Sequence, residues 1–183
     1  MDRIAILQML PVHDPLRLEA LRTVAALTLP DCWIAAGFIR DAVWGQLHGH
    51  GVRPPAGDVD VVWFDPSMAD DDASRAVETQ LRARMPELDW SVKNQACMHR
   101  RNRDAPYHSV TDAMRHWPET ATAVAARLLP GDMIEINAPF GVDDLFGLRL
   151  RPTPAFASEK RAIFQQRVSA RRWLERFPDL ALC

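Results

Sequence analysis

The chain has 183 residues, 48% of them hydrophobic and 25% charged, with a net charge of −2. That length supports one core and argues against two full domains. The charge gives no general affinity for polynucleotide, so any nucleic acid needs a local basic patch. Three cysteines, Cys32, Cys97 and Cys183, lack CxxC spacing and point to reduced thiols rather than a disulfide framework. No apolar stretch approaches the ~20 residues of a membrane span, so a cytoplasmic protein is expected.

In chain order, the apolar run Ile4 to Leu10 is short, has no small-residue cleavage site and meets Pro11, His13 and Asp14 at once. It does not read as a signal peptide. Asp14-Pro15 supplies a cap and a first-turn proline, which predicts a helix to Leu27. Cys32 to Ala36 reads as a short buried strand, Gly37 as its break, and Phe38 to Leu47 as a helix burying Ile39, Val43 and Leu47. His48 to Gly57, with its glycines and prolines, is a loop.

Asp58 to Phe64 is the clearest strand pattern in the chain, rich in valine and aromatics. Ser67 to Asp72 reads as an acidic turn, Ala73 to Met85 as a helix ended by Pro86, and Leu88 to Val92 as a strand. Asn94 to Tyr107 is polar and irregular. Ser109 and Asp112 have capping-box spacing for a helix over Val110 to His116. The alanine-rich segment Glu119 to Leu129 predicts another helix, Met133 to Asn137 a strand, Leu148 to Leu150 a further short strand, and Ala157 to Arg176 a last long helix. The sum is an α/β (α+β) domain with a small mixed sheet and flanking helices. Its core spans about residues 14–140, with a C-terminal helical extension over about 155–178.

On a strand, residues i and i+2 share a face, so Asp58 and Asp60 stand side by side about 6.6 Å apart at Cα. Two such carboxylates repel each other unless a cation lies between them, and magnesium suits oxygen donors completed by substrate phosphates. Upstream, the strand-Gly37-helix junction offers free backbone N–H groups at a positive helix end, and Gly37 allows close approach of phosphate. Arg40, in the first helical turn, is placed to contact a triphosphate or pair with a site carboxylate. A DxD pair alone is a weak signal; the glycine turn and Arg40 give it weight.

The order strand-Gly-helix-(Arg-Asp)-strand-DxD resembles the polymerase β nucleotidyltransferase superfamily. Ala36-Gly37-Phe38-Ile39-Arg40-Asp41 is similar to the GGxVRD element of its CCA-adding branch, with Ala36 replacing the first glycine. Asp58-Val59-Asp60-Val61 resembles its metal-binding DhDh element, after a longer gap than is common. More of the chain, including Val92 to His99, Pro118 to Leu128, Ala138 to Phe146 and Arg151 to Pro154, resembles a bacterial nucleotidyltransferase-like family of unassigned substrate. Cys97 departs from the arginine expected there.

The resemblance implies transfer of a nucleotidyl group from an NTP to an acceptor, with magnesium at Asp58 and Asp60. It also implies a third carboxylate on a neighbouring strand. Asp89 in Leu88-Asp89-Trp90 is preferred as the third catalytic acid, with Glu135 in Ile134-Glu135-Ile136 as the alternative. Gly37, Arg40 and Lys93 are the expected substrate-binding residues, and Asn94 or Gln95 could read a base or acceptor from the loop after Asp89. A small-molecule acceptor is favoured over nucleic acid because the chain is short and not basic. The alternatives are a nucleotide-binding module with little or no turnover, and a toxin-type enzyme modifying tRNA or protein. Arg161, Arg167, Arg171, Arg172 and Arg176 read as a solvated, ion-paired helix face. His48, His50, Cys97 and His99 match no zinc spacing, and His48 and His50 are expected in an exposed loop.

Overall fold

A computed structural model describes residues 2–68 and 71–183. The chain opens with α1 (Arg3–Val12) and α2 (Pro15–Ala25). Each helix starts on an aspartate cap: the Asp2 carboxylate accepts from the Ile4 amide and that of Asp14 from the Arg17 amide. The strand β1 (Trp33–Ala35), helix α3 (Gly37–Leu47) and strand β2 (Asp58–Trp63) follow. Then come α4 (Asp71–Arg84), β3 (Asp89–Asn94), α5 (Gln95–Asn102) and α6 (Val110–Met114). The hairpin β4 (Ala125–Leu129) and β5 (Met133–Asn137) leads to α7 (Asp143–Phe146) and β6 (Arg149–Leu150). The chain finishes with α8 (Arg161–Arg171), α9 (Trp173–Arg176) and β7 (Ala181–Leu182). Ala69 and Asp70 of the expected acidic turn lie outside the described residues.

The main sheet has the order β3-β2-β1-β4-β5, with only β2 and β3 parallel. Alternation along β2 sorts its residues cleanly. Val59, Val61 and Trp63 enter the larger core with Ile34, Trp90 and Val92, whereas Val62 joins a smaller cluster with Trp33, Ala35 and Met114. Asp58 and Asp60 therefore share the face of the smaller cluster. Phe164 and Val168 of α8, Trp173 of α9 and Phe177 pack in the larger core with Trp44 of α3. Among the described residues no helix is long and apolar enough to cross a membrane.

Three expected elements are corrected. The alanine-rich stretch from Glu119 is not a helix: Glu119 bridges Pro152, a turn covers residues 120–122, and β4 follows. Ala125 and Ala126 are fully buried inside the sheet, where small side chains fit against both layers, so tertiary burial outweighs alanine's helix propensity. The stretch read as irregular contains α5, capped by the Asn94 side chain on the Ala96 amide. The expected last helix is interrupted: a short 3-10 turn covers Pro154–Phe156, and Arg172 at φ 51° separates α8 from α9. That left-handed residue redirects the chain just before Trp173, which is 1% exposed.

Trp173 closes the larger core beside Trp44, with ring centroids 6.1 Å apart in an edge-on pair. Trp173→Ala is expected to cost about 3–5 kcal/mol. Leu174→Ala, at a half-exposed neighbour, should cost less than about 1 kcal/mol; urea unfolding compares the two.

Candidate active site

Asp58 and Asp60 lie at the start of β2. Asp60 pairs across the sheet with Ala35 on one side and Ser91 on the other, and Asp58 stands opposite Asp89. Burial, then the charge of Asp58, pushes the Asp60 carboxyl up from its usual 3.8 to about 6. The Ser91 hydroxyl and the charges of Arg167 and Arg171 pull in the other direction without overcoming this. Asp58 is more open, with a side chain 40% exposed. Both carboxylates line a narrow polar cleft of about 40 Å³ whose walls include Gly37, Arg40, Arg167 and Arg171.

The turn into α3 has an unusual geometry. Ala36 sits at φ 56°, ψ −120°, a region that favours glycine, and its carbonyl accepts from the Arg40 amide at 2.9 Å. The Ala36 amide donates to the Val124 carbonyl at 2.9 Å, which ties the turn to the segment entering β4. No side chain caps α3; the Ile39 amide donates to the Ala36 carbonyl at 3.2 Å, which leaves the Gly37 and Phe38 amides for the cleft. A Cβ at Gly37 would meet Nη2 of Arg40 at 3.4 Å, an ordinary contact with a side-chain end, so space alone does not demand glycine there.

Arg40 lines the cleft, but much of its guanidinium is already engaged. Nε and Nη2 donate to the Asp41 carboxylate at 2.9 and 2.7 Å, and Nη1 donates to the Thr122 hydroxyl at 2.9 Å. It packs against the corner of the edge-on indole pair, 5.0 Å from the Trp44 ring and 4.5 Å from that of Trp173. Two of its five N–H donors remain for a ligand. Asp41 also accepts from Arg176 at 3.0 Å.

The C-terminal arginines change role in three dimensions. Arg171 comes within 3.7 Å of Asp58, and Arg167 lines the same cleft, so this part of α8 is a wall of the site rather than a solvated face. The i, i+4 spacing of Arg167 and Arg171 already placed them on one helix face; what that face meets is a tertiary fact. α8 is anchored at its N-cap and again within the helix. Lys160 pairs with Asp104 at 2.6 Å, and Arg167 Nε donates to fully buried Glu119 at 2.8 Å.

The remaining expected site residues are dispersed. Asp89 shares the face of Asp58 but is 67% exposed and pairs with Arg82 at 3.2 Å. Glu135 lies on β5 at the opposite edge of the sheet and pairs with Arg127. Among the described residues no three acidic, histidine or cysteine side chains gather as a metal-binding group. Lys93 follows Asp89 and Ser91 on the same face of β3, opposite Val62, and makes no ion pair among the described residues. Asn94 is not free to read a base: it is 4% exposed and binds the Asp65 backbone, the Met68 carbonyl and the Ala96 amide. His48 is also not an exposed loop residue, because its side chain is 3% exposed, against Phe177 and bonded to the Trp44 carbonyl.

With this geometry in place, known proteins offer a comparison. A family model described as nucleotidyltransferase matches residues 22–182. A CCA-adding enzyme head domain solved by NMR superposes with a TM-score of 0.85 and 31% identity, over 97% of this chain and 94% of that one. A CCA-adding enzyme in complex with CTP gives 0.60 at 16% identity, and an apo tRNA-processing enzyme gives 0.57 at 17%. These two cover 98% and 93% of this chain but only 43% of each larger protein, and at that identity they speak for the fold alone. No curated protein matches the chain.

Two stability measurements probe the site. From about pH 4 to about 6 the folded chain holds a proton on Asp60 that the unfolded chain releases, so this group's contribution to stability falls as pH rises through that window. Asp60→Asn is therefore expected to stabilise the metal-free protein by roughly 1–3 kcal/mol at pH 7.5 and to have little effect at pH 4. Ala36→Gly should change stability by less than about 1 kcal/mol, since relief of the positive φ offsets the lost methyl. Ala36→Val should cost more than about 2 kcal/mol. Denaturant unfolding reads both series.

Proposed function

The chain belongs to this nucleotidyltransferase family, and on that premise we propose that it transfers a nucleotidyl group from an NTP to an acceptor hydroxyl, releasing pyrophosphate. The observation that carries the reading is the acid pair of β2 facing the uncapped start of α3 across a cleft walled by arginines. Burial, and then the charge of Asp58, raises the Asp60 carboxyl to about 6, so its anion lacks the solvation that a bound cation would supply. The donor set is oxygen-only, with the Ser91 hydroxyl beside Asp60, and this suits magnesium, which completes its shell with phosphates and water. Asp58 and Asp60 are the residues that would hold it. Bound there, it would neutralise the triphosphate and the carboxylates together.

The chain's own groups then have distinct tasks. Gly37 and the first amides of α3 receive phosphate oxygens, with Arg40 lending its two remaining donors. Arg171 moves from Asp58 to the triphosphate when the acid pair is otherwise neutralised, and Arg167, held by Glu119, keeps positive charge beside Asp60. Asp89 is the proposed third acid. Its exposed pair with Arg82 is worth at most about 1 kcal/mol, so recruiting it toward Asp58 costs little. Lys93 is the proposed outer phosphate contact. The acceptor hydroxyl attacks the α-phosphorus in line.

Isothermal titration with magnesium and each NTP tests the reading. Asp58→Asn combined with Asp60→Asn is expected to abolish magnesium-dependent binding. Arg171→Ala should weaken NTP binding by roughly 10- to 100-fold, the worth of a charge-assisted hydrogen bond. Asp89→Asn should reduce pyrophosphate release with a productive acceptor more than it reduces binding. If the wild-type protein binds no NTP with magnesium, the proposal fails.

A further inference from the structure

Two larger cavities continue from the cleft along α3. The nearer, about 320 Å³, shares Asp41, Ala56 and Arg176 with the cleft. The farther, about 350 Å³, shares Arg17, Ala42, Gly51 and Arg53 with the nearer one. Its outer wall is aliphatic, formed by Ile6, Met9 and Leu10 of α1 and by Val52, and both Met9 and Val52 are exposed. The shared walls make one groove leading from an apolar end to the carboxylates. The cleft itself, at about 40 Å³, has room for phosphate oxygens and a cation but not for a second reactant.

Arg17 sits where the two cavities join. It is 2% exposed, and it fixes the groove by donating from Nε to the Phe38 carbonyl at 2.9 Å and from Nη1 to Asp14 and to the Arg53 carbonyl. Its Nη2 has no hydrogen-bond partner among the described residues, and the side chain lines both cavities. The charged groups in the two walls are Arg17, Arg53 and Arg176 against Asp14 and Asp41, with His13 and His50 beside them. The balance is positive, and the unpartnered donor favours an oxygen anion.

We propose that this groove is the acceptor subsite, and that the acceptor is a small molecule with an apolar body, one anionic group that meets Arg17, and a hydroxyl that reaches Asp58 and Asp60. The assignment rests on the nucleotidyl-transfer reading. The acceptor oxygen forms a bond to the α-phosphorus as the bond to the bridging oxygen breaks. Pyrophosphate leaves with that electron pair, and the hydroxyl proton passes to a cleft carboxylate. Aliphatic walls at the far end suit a hydrocarbon body.

The probe is 8-anilinonaphthalene-1-sulfonate, an apolar body with one anionic group, titrated into the ¹⁵N-labelled full chain. Amide shifts are expected to cluster at Ala42, Gly45, Gly51 and Val52. Ala42→Leu, which fills the groove floor, and Val52→Asp, at a surface position that tolerates charge, should each weaken the probe at least tenfold. A mixture of the four magnesium-NTPs should still shift the Gly37 amide with the probe bound. Scattered shifts, or variants that bind the probe as the wild type does, overturn the proposal. Mutual exclusion of probe and NTP also overturns it, because the groove then belongs to the nucleoside. If the probe maps to the groove while no NTP binds, the transfer reading fails and the acceptor role falls with it, but the groove stands as a site for apolar anions.

Discussion

A buried guanidinium packed against the corner of two indoles organises this protein. Arg40 reaches from the first turn of α3 to Thr122 ahead of β4, and Trp44 and Trp173 both pack against it. The start of α3, the approach to β4 and the C-terminal α9 therefore meet at one buried charge. Such a charge is tolerable only when it is paired and hydrogen-bonded, and Asp41 supplies that pairing with two bonds of its own. Removing a partner would leave the charge uncompensated, which couples the shape of the glycine turn to the packing of the last helices.

The same arrangement accounts for the electrostatics of the cleft. Asp41, Asp58 and Asp60 face Arg40, Arg167, Arg171 and Arg176 across a small volume. Asp41 is saturated by Arg40 and Arg176, whereas among the described residues Asp58 has one ion pair, with an arginine at 3.7 Å, and Asp60 titrates high. The acids divide by role: one holds the scaffold together and two remain under-neutralised. The arginines nearest the acid pair lie on α8, which is held at its start by the Lys160–Asp104 pair and further along by the Arg167–Glu119 bond.

Space follows the same logic. The cleft is narrow because Trp173 and the arginines fill the room between α3 and α8, and the larger cavities open on the α1 and α2 side, where small residues line the exposed face of α3. Ala42 and Gly45 lie one turn apart there and keep the floor low. A path to the carboxylates from this side passes the apolar residues of α1 and Val52, then Arg17 and Arg53, and then the acids.

The sequence by itself determined the acid pair, the glycine turn and the mixed architecture, because these are local facts. Alternation along Asp58 to Trp63 puts both carboxylates on one face, and a strand-glycine-helix junction exposes amides whatever surrounds it. Ala36, read as standing in for a glycine, indeed adopts a glycine-like φ. Only the tertiary structure decided where the C-terminal arginines point, that Ala125 to Leu129 is a strand, and that Arg40 is largely consumed by Asp41, Thr122 and two tryptophans. It also put Ser91 rather than an acid opposite Asp60. Each of these outcomes depends on contacts between segments far apart in the chain, whose burial and charge pairing outweigh the local propensities that a sequence displays.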